Sequence, residues 1–219
     1  MDQLQHKSNS SKGAIIYLAD PMCSWCYGFR EEVTRLKEHY ATQFDFYLIM
    51  GGLRPGGGDP WNQKMKDFLR HHWEQVEKAS GQAFKYDLFE REHFHYDTEP
   101  ACRAVRIVRD LAPSQELPFF KAVQYRFYYE NEDPGEIAFY QPICEEMGID
   151  FSSFSHLFPT EQYKALTRQD FEQAMQWGIR GFPSIVIRWK EKLGCLTQGF
   201  ARFDDMEKRM ELLLNKLSL

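Results

Sequence analysis

The stretch "LADPMCSWCYGF", residues 18–29, carries two cysteines, Cys23 and Cys26, at the boundary between two sequence patterns. Before it, residues 14–19 ("AIIYLA") are β-branched and apolar and end at an Asp-Pro pair, which predicts a buried strand stopped by proline. After it, apolar residues recur at spacings of four, three and four, namely Phe29, Val33, Leu36 and Tyr40. This spacing is typical of one helix face and predicts that both cysteines lie in the first turn of a single helix.

Two further patterns extend this unit into an α/β fold. "FDFYLIM", residues 44–50, predicts a second buried strand, and a strand, helix, strand order of this length implies a parallel pair with a right-handed crossover. Near the other end, "PSIVIRW" (183–189) and "GCLTQGF" (194–200) predict a hairpin across the turn "KEK". A final helix is predicted by the same four, three, four spacing in Met206, Met210, Leu213 and Leu217.

The region between these two units is predicted to be helical. Helices are expected near residues 61–79, 99–111, 117–130, 137–147 and 162–177, separated by Gly, Pro and Asp. The loop 51–60 ("GGLRPGGGDP"), in which seven of ten residues are Gly or Pro, is predicted to be a hinge. The polar residues 1–12 are predicted to form a flexible arm.

Composition and charge indicate what kind of domain this chain forms and which partners it favours. With 219 residues, of which 43% are hydrophobic, the chain can bury a core without disulfide staples. A net charge of -5, from 27 basic and 32 acidic residues, favours neither nucleic acid nor a membrane surface as partner. The first residues lack the apolar run of a secretory signal, so a cytoplasmic location is expected.

The CxxC pair has three interpretations. A structural zinc site normally needs four ligands, and Cys102, Cys144 and Cys195 form no second CxxC. Two core cysteines that merely pack are a second interpretation. The third is favoured by position, because unpaired N–H groups at a helix start stabilise a thiolate. Cys23 would then attack a disulfide, and Cys26 would resolve the mixed disulfide that forms.

The segment "RGFPSIVI" adds a second signal, because Pro183 begins a predicted strand. Proline is rare at a central strand, and a cis X-Pro bond is a common reason to keep one at a sharp turn. An ordinary trans proline before an edge strand is the alternative. Residue pattern alone leaves both open.

Together, the CxxC after a strand and the Gly-X-Pro before a hairpin and helix resemble the thioredoxin superfamily. The long helical insertion resembles the DsbA-like branch, which includes FrnE-type proteins, 2-hydroxychromene-2-carboxylate isomerases and kappa glutathione transferases. The resemblance covers residues 14–219. It implies a thioredoxin-like domain from segments 13–58 and 178–219, with an inserted α-helical domain at 59–177.

The resemblance also implies roles for single residues. Cys23 matches the attacking cysteine and Cys26 the resolving one. Pro183 matches a cis-proline that faces the disulfide, and Phe182 would offer its backbone to an extended substrate. The dipeptide between the cysteines would tune the thiolate through Ser24 and Trp25, and Trp25 would also touch substrate.

The segment "TEPACRA", residues 98–104, resembles a stretch of this branch that opens a helix near the cleft. Thr98 and Glu99 are therefore expected beside the substrate. The alternative is a helix start with Pro100 in its first turn and no substrate contact.

The activity implied is thiol-disulfide exchange on a protein or small-molecule disulfide. Where periplasmic DsbA oxidants carry Pro-His between the cysteines, this chain has Ser24 and Trp25, so reductase or isomerase activity is expected rather than strong oxidation. A glutathione-dependent transferase or isomerase and a noncatalytic binding module are the alternatives. No cofactor is expected beyond glutathione as a co-substrate. Whether the chain forms a homodimer is left open.

The remaining candidate groups have simple structural interpretations. Four histidines lie on segments that predict surface or packing positions rather than a metal site: His71, His72, His93 and His95. Cys102, Cys144 and Cys195 are each expected to be buried structural thiols. No metal site is predicted.

Overall fold

The structure, a computed structural model, describes residues 12–218, so the predicted arm lies outside the described residues except for Lys12. Four strands occur in this part of the chain: β1 (Gly13–Ala19), β2 (Phe44–Met50), β3 (Ser184–Trp189) and β4 (Lys192–Gln198). The α-helices are α1 (Ser24–Gly28), α2 (Arg30–His39), α3 (Gln63–Ser80), α4 (Glu99–Leu111), α5 (Glu116–Tyr128), α6 (Gln141–Glu146), α7 (Phe151–Leu157), α8 (Glu161–Gln176) and α9 (Phe203–Ser218). None of the described helices is long and apolar enough to cross a membrane.

The strands form one mixed sheet in the order β2-β1-β3-β4. β1 and β2 are parallel, whereas β3 is antiparallel to both β1 and β4. The predicted βαβ and ββα units are therefore confirmed, and they share one thioredoxin-like sheet. Because Leu18 pairs with Ser184, the carboxyl end of β1 meets the amino end of β3 at one edge.

The prediction of one continuous helix beginning at the CxxC is wrong. The structure has two helices, α1 and α2, interrupted at Phe29. Before this break, Gly28 lies where α3 packs closely, since a Cβ atom there would be 2.6 Å from Val76. The apolar stripe survives the break, because Phe29, Val33 and Leu36 are all buried.

The hairpin also differs from its prediction. β4 begins at Lys192, two residues earlier than predicted, so the turn contains only Lys190 and Glu191. Lys190 has a φ of 54°, a left-handed conformation suited to a tight turn. β3 lies between β1 and β4, so the interpretation of Pro183 as a residue before an edge strand is wrong.

Apart from two short 3₁₀-helices, Asp87–Glu90 and Pro113–Gln115, the helical region follows the predicted pattern with two differences. The predicted helix 137–147 begins as a 3₁₀-helix, Ile137–Tyr140, and continues as α6. The pattern did not predict α7. Its N-cap is Asp150, whose carboxylate accepts hydrogen bonds from the N–H groups of Ser152 and Ser153.

One large hydrophobic core joins the sheet and the helical region. Tyr17 of β1, for example, packs edge-on against Phe120 of α5, with ring centroids 6.0 Å apart. A buried ionic cluster makes a second connection. Arg109 of α4 donates to Asp170 of α8 at 2.7 Å and to the Leu48 carbonyl of β2 at 2.7 Å.

Candidate active site

Three loops converge at the edge of the sheet where β1 and β2 end and β3 begins. The first carries the CxxC, the second starts at Gly51, and the third is the segment before β3. The Gly51 N–H donates to the Ala19 carbonyl at 2.7 Å, which joins the first two loops. Gly51 also lies against the Phe182 ring, where a Cβ atom would be 2.2 Å from the ring, so the position needs glycine.

Cys23 lies at this junction as the N-cap of α1. Its N–H donates to the Asp20 carbonyl, and its own carbonyl accepts from the Tyr27 N–H in the first helical turn. The thiol donates to the Phe182 carbonyl, with 3.5 Å between Sγ and O. The first cysteine is therefore held between the helix start and the loop before β3.

Cys26 lies one turn further into α1 and is fully buried, whereas Cys23 keeps 4% of its surface exposed. Both cysteines are free thiols. Burial raises the pKa of the Cys26 thiol well above its usual range, and the neighbouring Cys23 adds to this effect. Both thiols are buried, and the small exposed fraction belongs to Cys23. The roles of attacking and resolving cysteine stay predictions.

The peptide bond between Phe182 and Pro183 is cis, as the resemblance implied. Pro183 is buried and Phe182 is half-buried. The Gly199 N–H donates to the Pro183 carbonyl at 2.7 Å, which fixes this loop against the end of β4. The geometry thus brings Phe182 and Pro183 together with Cys23.

The sequence analysis missed Asp20, a fully buried carboxylate three residues before Cys23. It accepts hydrogen bonds from the N–H groups of Met22 at 2.8 Å and Leu53 at 2.7 Å and from the Cys102 thiol at 3.4 Å. Burial raises its pKa, although these donors and the Thr98 hydroxyl oppose the shift. Asp20 therefore joins the CxxC loop, the glycine-rich loop (residues 51–60) and the start of α4.

Thr98 is fully buried and holds the glycine-rich loop. Its hydroxyl accepts from the Arg54 N–H at 3.0 Å, and its own N–H donates to the Arg54 carbonyl at 3.1 Å. Glu99 begins α4, with Pro100 in the first turn, and pairs with Arg103 at 3.2 Å. Burial raises the pKa of Glu99, although the Arg103 charge opposes this. The helix start that both interpretations share is confirmed, and contact of Glu99 with substrate stays a prediction.

The two residues between the cysteines are both half-buried. Ser24 is the first residue of α1, and Trp25 packs against Phe200, with ring centroids 5.9 Å apart. The aromatic pair forms part of the surface next to the dithiol.

The other three cysteines and the histidines are not part of the Cys23–Cys26 pair. Cys102 and Cys144 are buried as predicted, but Cys195 is exposed, because its side chain lies on the solvent side of β4. His93 and His95 line an open pocket of about 440 Å³ with Trp61, Phe94 and Asp133. Among residues 12–218, no group of three or more His, Cys, Asp or Glu side chains is arranged to hold a metal ion.

The fold and the dithiol define a thioredoxin-like protein. The chain belongs to the family of DSBA-like thioredoxin domains, whose model matches residues 14–211. A solved candidate protein disulfide isomerase from Nitrosomonas europaea is 32% identical, with a TM-score of 0.86 over 94% of this chain and 98% of that one.

Three structures with lower sequence identity share the fold, and two of them are of the same protein. The cytosolic disulfide reductase DsbM from Pseudomonas aeruginosa is 22% identical, with a TM-score of 0.75 over 92% of this chain and 98% of that one. A second DsbM structure contains glutathione and matches at 22% identity, with a TM-score of 0.72 over 92% and 99% of the two chains. A 2-hydroxychromene-2-carboxylate isomerase matches at 15% identity, with a TM-score of 0.64 over 94% and 98%.

Proposed function

We propose that this protein is a thiol-disulfide oxidoreductase that reduces or isomerises disulfides through Cys23 and Cys26. The Cys23 thiolate attacks a substrate disulfide and forms a mixed disulfide, and the first substrate sulfur leaves as a thiol after taking up a proton. Cys26 then attacks the Cys23 sulfur, and the second substrate sulfur leaves. Two electrons pass from the dithiol to the substrate.

The observation that carries this proposal is the position of the Cys23 thiol. It is at the N-cap of α1 and 3.5 Å from the Phe182 carbonyl, directly before the cis-proline. A substrate cysteine in an extended segment could pair with the backbone before Pro183 while its sulfur meets Cys23. The half-buried residues Trp25, Phe182 and Glu99 are proposed to surround this substrate, whereas the fully buried Thr98 holds the loop 51–60 through Arg54.

The direction of electron flow is proposed from the dipeptide and the relatives. Ser24 and Trp25 replace the Pro-His of strong periplasmic oxidants, and DsbM is described as a cytosolic disulfide reductase. In a cytosol at about -220 to -320 mV a typical dithiol rests reduced, which favours reduction. We therefore propose a cytoplasmic reductase or isomerase.

Glutathione is the proposed low-molecular-weight partner. The observation that favours it is the DsbM structure with glutathione. Glutathione would reduce the Cys23–Cys26 disulfide after each turnover, with oxidised glutathione as the product. A glutathione-dependent isomerase or transferase is the second candidate, and it differs because it should keep its activity when Cys26 is replaced.

Insulin reduction tests the proposal with single variants. Cys23→Ser should abolish reduction, and Cys26→Ser should accumulate a mixed disulfide at Cys23 that mass spectrometry detects. Cys195→Ser, which removes the exposed thiol, is the matched control and should keep full activity. Full insulin reduction by Cys23→Ser would exclude the proposed reaction.

A further inference from the structure

The peptide group that joins Met22 to Cys23 is held at both ends by hydrogen bonds. Its N–H, which belongs to Cys23, donates to the Asp20 carbonyl at 3.1 Å. Its carbonyl, which belongs to Met22, accepts from the Tyr96 hydroxyl at 2.6 Å. The first bond closes a local turn, whereas Tyr96 lies 74 positions further along the chain than Met22, in the loop before α4. The helical region therefore contacts the site directly before the proposed attacking cysteine.

The Tyr96 hydroxyl is held in place by the surroundings of its ring and its backbone. The side chain is buried, and its ring stacks on the Phe127 ring of α5 with centroids 6.1 Å apart. The carboxylate of the next residue, Asp97, accepts from the N–H groups of Gly56 at 2.7 Å and Glu99 at 2.9 Å. Burial raises the pKa of Tyr96, so the phenol keeps its proton and can donate. Tyr96 is therefore a fixed donor to the Met22 carbonyl.

The direction of the Cys23 side chain depends on this peptide group. Because a peptide group is planar, fixing the two peptide groups that flank a residue fixes the direction of its Cα–Cβ bond. On the other side of Cys23, its carbonyl accepts from the Tyr27 N–H at 3.0 Å. The thiol then lies 3.5 Å from the Phe182 carbonyl, where the substrate is proposed to bind. Attack on a disulfide needs this alignment, since misplaced reacting atoms react more slowly.

A buried tyrosine hydroxyl that donates to a carbonyl also occurs away from the CxxC. Tyr140 is fully buried, and its hydroxyl donates to the Pro134 carbonyl at 2.5 Å. That bond joins two residues of one segment, whereas the Tyr96 bond joins the helical region to the residue before Cys23. The two tyrosines thus make the same kind of bond, and they differ in what the bond holds.

We infer that Tyr96 is a positioning residue, whose hydroxyl holds Cys23, through the Met22 carbonyl, in the orientation that attacks the substrate disulfide. The inference rests on the proposed function. In this step the Cys23 sulfur bonds to one substrate sulfur, the substrate disulfide breaks, and the other substrate sulfur leaves as a thiolate that takes a proton from solvent. Tyr96 keeps its own proton throughout and acts only through the Met22 carbonyl.

A chromogenic disulfide, dithiobis(nitrobenzoate), measures the attack by stopped flow. The first nitrothiobenzoate released reports attack by Cys23. All proteins carry Cys195→Ser, so that the exposed thiol does not contribute. The test variant is Tyr96→Phe, and the matched control is Tyr140→Phe. Each substitution keeps the ring and removes one hydroxyl that donates to a backbone carbonyl, so a general loss of stability would slow both variants alike.

The expected result is a slower first release in Tyr96→Phe alone. Without the hydroxyl the peptide group before Cys23 can turn, and a smaller fraction of the chains holds the thiol in the attacking orientation. The first release should slow about fivefold, which corresponds to about 1 kcal/mol, the usual net contribution of one hydrogen bond. Tyr140→Phe should release nitrothiobenzoate at the parental rate. An unchanged first release in Tyr96→Phe, or an equal slowing in Tyr140→Phe, overturns the inference.

Fluorotyrosine in place of Tyr96 tests the donor without removing a buried hydrogen bond, so it also serves if Tyr96→Phe does not fold. It keeps the ring and the hydroxyl and makes the phenol a stronger donor. The first release should therefore be at least as fast as in the parent, and a slower release overturns the inference. If the parent itself releases no nitrothiobenzoate, the proposed function fails and the inference fails with it, which is a different outcome.

Discussion

The buried ion pair between Arg109 and Asp170 should hold the helical region to the sheet, and Asp170→Ala tests this. Asp170 accepts two hydrogen bonds from the Arg109 guanidinium, at 3.0 and 2.7 Å, and one from the Met50 N–H at 3.0 Å. The Arg109 and Asp170 side chains are only 11% and 12% exposed. The substitution leaves a buried cation with Glu116 as its remaining carboxylate partner, and it leaves the Met50 N–H without this acceptor.

Breaking a buried pair from one side costs about 3–5 kcal/mol. Because Glu116 still pairs with Arg109 at 2.6 Å, the lower end of that range, about 3 kcal/mol, is expected for Asp170→Ala. With a urea dependence of about 2–3 kcal/mol per M, the unfolding midpoint should fall by about 1–1.5 M.

Urea unfolding followed by circular dichroism measures this loss. Glu161→Ala is the control, because Glu161 lies on the same helix and pairs with Lys164 in solvent. Its midpoint should stay that of the parent. A loss below about 1 kcal/mol in Asp170→Ala would refute the reasoning that this pair carries the connection.

Three further substitutions test the surroundings of the dithiol. Because burial raises the pKa of Asp20 in the folded chain, the parent should gain stability relative to Asp20→Asn as the pH falls through that raised pKa, and urea unfolding at several pH values measures the difference. An equal difference at every pH would contradict this. Gly51→Ala places a Cβ atom 2.2 Å from the Phe182 ring, so displacement of Phe182 should slow insulin reduction severalfold, whereas an unchanged rate would show that this contact is unimportant. Cys195→Ser should leave the urea midpoint within error, since this thiol is exposed, and a clear loss would assign it a structural role.

The sequence predicted the two ends of the fold because each element there has a local signature. Residues 14–19 and 44–50 are apolar runs of strand length, and they match β1 and β2 to within one residue. The interruption at Phe29 was missed because the helical spacing continues across it. It coincides with close packing of Val76, a residue from a distant segment. Such a long-range contact leaves no trace in local periodicity.

The part of the site that lies in short local motifs was predicted, and the part that depends on long-range contacts was not. Cys23 and Pro183 stand in short motifs, and the structure brings them together. Asp20 is recognisable in the sequence as a polar residue after a buried strand. Its role as a hydrogen-bond acceptor could not be predicted, because the donors come from three separate segments. The loop 51–60, predicted as a hinge, is tied to Asp20 and Thr98 by hydrogen bonds that only the folded chain reveals.

The reduction potential of the Cys23 and Cys26 pair tests the central claim most directly. The protein is equilibrated with glutathione redox buffers and then alkylated. Mass spectrometry measures the fraction of chains that carry this disulfide. The account predicts one Cys23–Cys26 disulfide with a potential of about -180 mV or lower, as expected of a reductase or isomerase rather than a strong oxidant. Failure of the two thiols to pair, or a potential near the value of about -120 mV typical of strong oxidants, would contradict it.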